Sequence, residues 1–171
     1  AEEGKNMVIN MFLALCCIFL VMAALFESPL APLSIIVSIG FAFVGAFWFF
    51  AATGTTMSFM GFIGMLVLMG IVVNNGIVLI DLINRNREQG MSRRDAILDA
   101  GPKRLRPILM TTLTTVLGLL PLAIGGAEGA EVRAPMAITV IGGLMGSALL
   151  TLFVIPVVYT LLDFKKAAPA P

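Results

Sequence analysis

The sequence predicts an all-α polytopic membrane protein, with five transmembrane helices plus one short cytoplasmic helix. Of its 171 residues, 59% are hydrophobic and only 12% are charged, a balance that soluble domains do not have. Five apolar stretches are each close to the length of roughly 20 residues that a helix needs to cross a bilayer. They lie at about 7–26, 33–52, 57–80, 108–124 and 136–162.

The first two spans are separated by a break that contains prolines. Span 7–26 is interrupted only by Asn10. It does not resemble a signal peptide, because the preceding AEEGK carries two acids against one Lys and no small-x-small cleavage site follows. Glu27-Ser28-Pro29 and Pro32 end this helix and start the second, since proline suits the first turn of a helix.

The third span, 57–80, carries two polar residues where hydrocarbon would otherwise surround the helix. Asn74 and Asn75 lie two thirds of the way along it, and Asp81 follows at the water boundary. Polar side chains inside a span are costly unless they face protein or a wet cavity, so they indicate a functional site. The alternative is that both amides only hydrogen-bond a neighbouring helix.

A polar stretch at 85–106 separates the third span from the fourth. Ser92 and Asp95 have capping-box spacing, which predicts a short helix that Gly101-Pro102 ends. The fifth span carries Gly142 and Gly146, whose spacing of four residues would let another helix approach closely. We therefore take this glycine pair as candidate helix-packing positions.

The distribution of charge predicts the orientation of the chain. Seven of the eleven Lys and Arg lie in the 85–106 loop, which is therefore expected in the cytoplasm, and Lys165 and Lys166 agree. This gives an extracytoplasmic lead-in (1–6), a five-helix transmembrane domain (7–163) and a cytoplasmic tail (164–171). Five spans that start outside the cell are an odd number. This arrangement is expected if an extracytoplasmic domain precedes Ala1.

Metal or cofactor chemistry is not expected in this chain. It contains no His, and its two cysteines, Cys16 and Cys17, are adjacent within an apolar span. Adjacent cysteines cannot easily bridge each other, so both are expected to act as small hydrophobic residues.

Three long motifs resemble the C-terminal helices of the resistance–nodulation–division (RND) efflux permeases. They are FESPLAPLSIIVSIGFAFVGA, GIVVNNGIVLIDLINRNREQGMSRRDAILDAG and RLRPILMTTLTTVLGLLPLAIGGAEGAEVRAPMAITVIGGL. The similarity covers nearly the whole chain and corresponds to the last five of the family's twelve spans. It is strongest to the branch that exports hydrophobic and amphiphilic compounds.

The resemblance implies a secondary transporter rather than an enzyme: an efflux pump of the bacterial inner membrane, driven by proton antiport. It implies a homotrimer that works with a periplasmic adaptor and an outer-membrane channel. The missing N-terminal helices and periplasmic domains would complete the chain, with the N-terminus of this segment periplasmic and its C-terminus cytoplasmic. The lipid bilayer is a further expected partner, and nucleic acid is not.

The resemblance also implies candidate residues for proton coupling. The family's tenth span holds a relay Lys followed by Asn, and these positions correspond here to Asn74 and Asn75. A neutral amide cannot neutralise a carboxylate, although it can donate a hydrogen bond to one. The family's relay Arg and Thr correspond to Arg104 and Thr111, and its two relay Asp belong to the fourth span, which this chain does not contain.

Each candidate also has a simpler interpretation. The alternative for Arg104 is a headgroup anchor, and Thr111 lies on one helix face with Thr115 and Gly118, a common packing pattern. Two other functions stay open: a heavy-metal RND permease, and an isolated helical bundle that transports nothing. An acid or Gln near the amides would favour metal ions, and Asn74 instead favours amphiphilic organic substrates.

Overall fold

Five α-helices form the fold in the computed structural model, which describes residues 2–26, 30–126 and 128–164. They are α1 (Glu2–Phe26), α2 (Leu30–Thr53), α3 (Phe59–Glu88), α4 (Arg93–Ile124) and α5 (Ala130–Phe164). All five are long and apolar enough to cross a membrane, and the described ranges contain no strand. The predicted all-α membrane fold is confirmed. The break at 27–29 and the tail lysines, Lys165 and Lys166, lie outside the described residues.

The polar connection between α3 and α4 is a tight turn. Gly90 has a φ of 87°, a left-handed conformation that glycine adopts without steric cost. Ser92 then caps α4, because its Oγ accepts a hydrogen bond from the Asp95 backbone N–H at 3.2 Å. This cap has the spacing expected from the sequence, and it satisfies one of the N–H groups that a helix start leaves unpaired.

The predicted short cytoplasmic helix is not a separate element. The helix that starts after Ser92 continues past Gly101-Pro102 and Pro107 to Ile124 as one α4. Each of these prolines removes only one intrahelical hydrogen bond, to the carbonyl oxygen four residues earlier. These carbonyls belong to Leu98 and Lys103, both exposed, where water or headgroups can bind them. The helix therefore tolerates both prolines.

A buried amide fastens the start of α4 to the end of α3. Asn86, only 5% exposed, donates from Nδ2 to the Ala96 carbonyl oxygen at 3.2 Å and to Asp99 Oδ2 at 3.0 Å. Lys103 Nζ lies 2.7 Å from the same carboxylate oxygen. A small apolar cluster surrounds this contact, formed by Leu79, Ile83, Ala96 and Ala100.

The main core lies between α2, α3 and α5. Its fully buried side chains include Ile39 of α2, Leu68 of α3 and Leu144 of α5. By contrast α1 buries only Met22, and most of its large apolar side chains are exposed. In a bilayer such a surface faces lipid or other protein at little cost.

Helices α2 and α5 approach each other closely at glycines. A Cβ added to Gly45 would lie 3.0 Å from both the Gly142 carbonyl oxygen and Gly146 Cα, and one added to Gly146 would lie 2.8 Å from Gly45 Cα. The two candidate packing glycines of α5 thus contact the backbone of α2. Side chains at these positions would hold the two helices apart.

Candidate functional site

The two asparagines of α3 point to different surroundings. Asn74 is exposed on the helix surface, whereas Asn75 is half-buried. Successive residues of an α-helix are about 100° apart, so the two amides cannot face the same partner. This separation was expected from their adjacency.

Asn75 lines a small cavity between four helices. The cavity has a volume of about 20 Å³. Its polar lining comes from one residue of each of α2, α3, α4 and α5, which are Ser38, Asn75, Thr112 and Ser147. Its apolar lining consists of Val72, Gly76, Ile108 and Ala148. No Asp, Glu, Lys or Arg contributes to the cavity wall within the described part of the chain.

Thr111 does not reach this cavity. It is exposed, and its hydroxyl donates within α4 to the carbonyl oxygens of Pro107 at 3.2 Å and Ile108 at 3.0 Å. Its neighbour Thr112 is the residue that turns inward, with an exposed fraction of 9%. The sequence therefore identified the outward threonine and missed the inward one.

Arg104 lies on the same face of α4 as Thr111, because seven residues correspond to almost two full turns. The residue is half-buried. Its Nε is buried, and no group within the described ranges accepts a hydrogen bond from it. By contrast, the acid that directly follows the apolar span of α3, Asp81, pairs with Arg85 at 3.0 Å on an exposed surface.

The structure relates Asn74 to Thr111 through their inward neighbours. Asn86 near the end of α3 bonds Ala96 near the start of α4, while Asn75 and Thr112 share a cavity further from the turn. The two helices therefore run antiparallel. Seen along one axis, successive residues of two antiparallel helices turn in opposite senses. Because Asn75 and Thr112 both turn towards the shared cavity, we expect Asn74 and Thr111 on the same side of the helix pair.

Three cavity residues, Ser38, Thr112 and Ser147, were not identified from the sequence. Thr112 could have been found by the 100° argument that separated the two asparagines, applied to the Thr111-Thr112 pair. Ser38 and Ser147 gave no such signal, because isolated serines are common in membrane helices. Among the described residues, no three His, Cys, Asp or Glu side chains cluster as metal ligands would.

Comparison with known proteins gives a consistent result. The model of the AcrB/AcrD/AcrF family matches residues 1–163. The swarming motility protein SwrC of Bacillus subtilis is 43% identical over 171 residues, which cover 99% of this chain and 16% of that protein. The multidrug resistance protein MdtC of Erwinia tasmaniensis is 43% identical over 157 residues, covering 91% of this chain and 15% of that protein.

Solved structures of a heavy metal efflux pump have the same arrangement of helices. Crystal form I of that pump matches with a TM-score of 0.80 and 28% identity, over 95% of this chain and 16% of the pump. Crystal form II matches with a TM-score of 0.81 over 92% of this chain. The chain thus spans about a sixth of the length of the proteins that it matches.

Proposed function

The chain belongs to the AcrB/AcrD/AcrF family, whose members are transporters, and on that premise we propose that it forms the last five transmembrane helices of a proton-driven RND efflux permease. In this role it contributes half of the proton-translocating core. The remaining helices and the periplasmic domains belong to a longer chain. The low coverage of the relatives, 16% for SwrC, supports this part of the proposal.

The observation that carries the proposal is that Asn74 and Thr111, both exposed, directly precede the residues of α3 and α4 that share the cavity. In hydrocarbon the Asn74 amide would lack a hydrogen-bonding partner, whereas the Thr111 hydroxyl already donates within α4. A carboxylate on a helix outside this chain would accept the Asn74 amide. Arg104, on the Thr111 face with a buried Nε, would approach the same acid from the polar end of α4.

The preferred substrates are amphiphilic organic compounds. The 43% identity to MdtC, a multidrug resistance protein, supports this class more strongly than the 28% identity to the heavy metal efflux pump supports metal ions. The metal class is the second candidate because of that structural match. In either case the pump resides in the inner membrane as a homotrimer, with a periplasmic adaptor and an outer-membrane channel as partners.

The proposal is tested by comparing the complete permease with the 171-residue chain alone in proteoliposomes. A proton relay needs a group that changes its charge, and none of the five predicted spans contains Asp or Glu. We expect the complete permease to export a fluorescent amphiphilic dye under a proton gradient, with loss of export on addition of an uncoupler. The chain alone should export none.

Two results would contradict this assignment. Proton-driven export by the chain alone would mean that it does not depend on a relay acid in another part of the permease. Export of Zn²⁺ without export of the dye by the complete permease would establish the heavy-metal alternative.

The proposed orientation predicts which loops an impermeant thiol reagent can reach. In a Cys16→Ala, Cys17→Ala background, Ser92→Cys should react in inside-out vesicles only, and Glu128→Cys in spheroplasts only. Both positions are exposed, and the Lys- and Arg-rich loop that contains Ser92 is expected in the cytoplasm. Reaction of both cysteines after detergent is the control, and labelling from one common side would contradict five membrane crossings.

A further inference from the structure

The cavity between the four helices contains a threonine hydroxyl that differs from its neighbours on α4. Among the four threonines of α4, three donate back to carbonyl oxygens of their own helix: Thr111, Thr114 and Thr115. Thr112 makes no hydrogen bond to any described residue, although it is only 9% exposed, and it lines the cavity. Its hydroxyl therefore has both its donor and its acceptor capacity available for a group in the cavity.

We propose that this cavity is a binding site for one ordered water molecule. A cavity needs at least about 10–15 Å³ to hold a water, and the water needs two to four polar partners. The volume here is about 20 Å³, with four polar residues in the wall. A single water therefore fits both by volume and by the number of groups that can bind it.

The hydrogen-bonding capacities of the wall match those of water. Ser38 and Ser147 already donate their hydroxyl protons to the carbonyl oxygens of Ser34 and Leu144, each at 3.1 Å, so their lone pairs are left to accept. Thr112 and the Asn75 amide have donors available. A water can donate to the two serines and accept from the other two. With no carboxylate in the wall, a neutral molecule suits the site better than a cation.

The water would position the proposed coupling residues, a consequence that rests on the proposed function. Asn75 and Thr112 directly follow the two outward-facing coupling candidates, Asn74 and Thr111. A water bonded to both inward residues links α3 to α4 and resists rotation of either helix. It thereby fixes how far apart Asn74 and Thr111 lie on the outer side of the pair. Thr112 is in this sense a positioning residue.

A high-resolution structure of the complete permease in lipid nanodiscs tests the water site. We expect a density peak about 3 Å from Thr112 Oγ1 and from the Asn75 amide, and loss of the peak in Thr112→Val, which keeps the side-chain shape. The control is Thr114→Val, whose exposed hydroxyl bonds only Met110 of its own helix, and which should keep the peak. Absence of the peak in the wild type, or its persistence in Thr112→Val, would overturn the water site.

The positioning role is tested by transport kinetics on the same variants. Thr112→Val should lower the maximal efflux rate several-fold with unchanged KM and shift its pH profile, whereas Thr112→Ser, which keeps the hydroxyl, should restore both. If Thr112→Val loses the water yet transports as wild type, the positioning role is wrong. Failure of the proposed function would be seen elsewhere, as wild-type efflux by Asn74→Leu with the water peak intact.

Discussion

Replacement of Asn74 by leucine in the complete permease should reduce proton-driven efflux about 5- to 150-fold while trimer abundance in the membrane stays normal. Asn74 is exposed on α3, and we propose that its amide donates to a carboxylate on a helix outside this chain. Leucine removes the donor and leaves the acid unpaired, which costs about 1–3 kcal/mol. That cost corresponds to the stated range, at about 1.4 kcal/mol per factor of ten.

A matched control separates this effect from general disturbance of α3. Val67 lies seven residues before Asn74, hence on the same helix face, and is 46% exposed. Val67→Leu should leave efflux unchanged, because it exchanges one apolar side chain for another. The measurement is dye efflux normalised to the trimer detected in native gels. Wild-type transport by Asn74→Leu, or a loss that only follows the amount of protein, would mean that the amide serves packing alone.

Gly45→Leu should prevent α2 from packing on α5 and destabilise the helical domain strongly. The groups nearest to an added Cβ are backbone atoms, the Gly142 carbonyl oxygen and Gly146 Cα, both at 3.0 Å. Backbone atoms cannot rotate away as a flexible side chain can, so the helices must separate. Overpacking of this kind costs about 1–3 kcal/mol and occasionally more, and we expect a value at or above the upper end.

The control for this prediction lies on the same helix. Nothing lies within 4 Å of a Cβ added to Gly40, so Gly40→Leu should fold as the wild type does. Thermal unfolding followed by size-exclusion chromatography of the detergent-solubilised protein compares the two variants. Equal melting temperatures for Gly40→Leu and Gly45→Leu would show that the close approach of α2 and α5 is not needed for stability.

The number of membrane-spanning helices could be predicted from the sequence because each apolar stretch has the length of a bilayer crossing. The start of α4 was also predictable, since Ser92 and Asp95 form a local cap that needs no tertiary contact. Its continuation past Pro102 was not. A Gly-Pro pair ends many helices. Whether the helix continues depends on whether the carbonyl oxygens that lose their intrahelical hydrogen bond can bind other partners, and the sequence does not reveal this.

The interior of the candidate site was less predictable for a different reason. In a soluble helix the apolar face identifies the buried side. The membrane-spanning parts of α3 and α4 are apolar on nearly all sides, so the sequence does not reveal which polar residue turns inward. Only the fold brings Ser38 and Ser147, more than a hundred residues apart in the chain, to the cavity of Thr112. The coupling roles of Asn74, Asn75, Arg104 and Thr111 stay predictions.

The uninterrupted α4 has a mechanical consequence. Its 32 residues form a rod of about 48 Å at 1.5 Å per residue, anchored to α3 through Asn86 at one end. Pro102 and Pro107 each remove one hydrogen bond between this anchor and Thr111, and the bending stiffness of a helix is lowest where such bonds are lost. The helix therefore bends most easily around residues 98–107. Its anchored end can stay in place while the apolar length tilts.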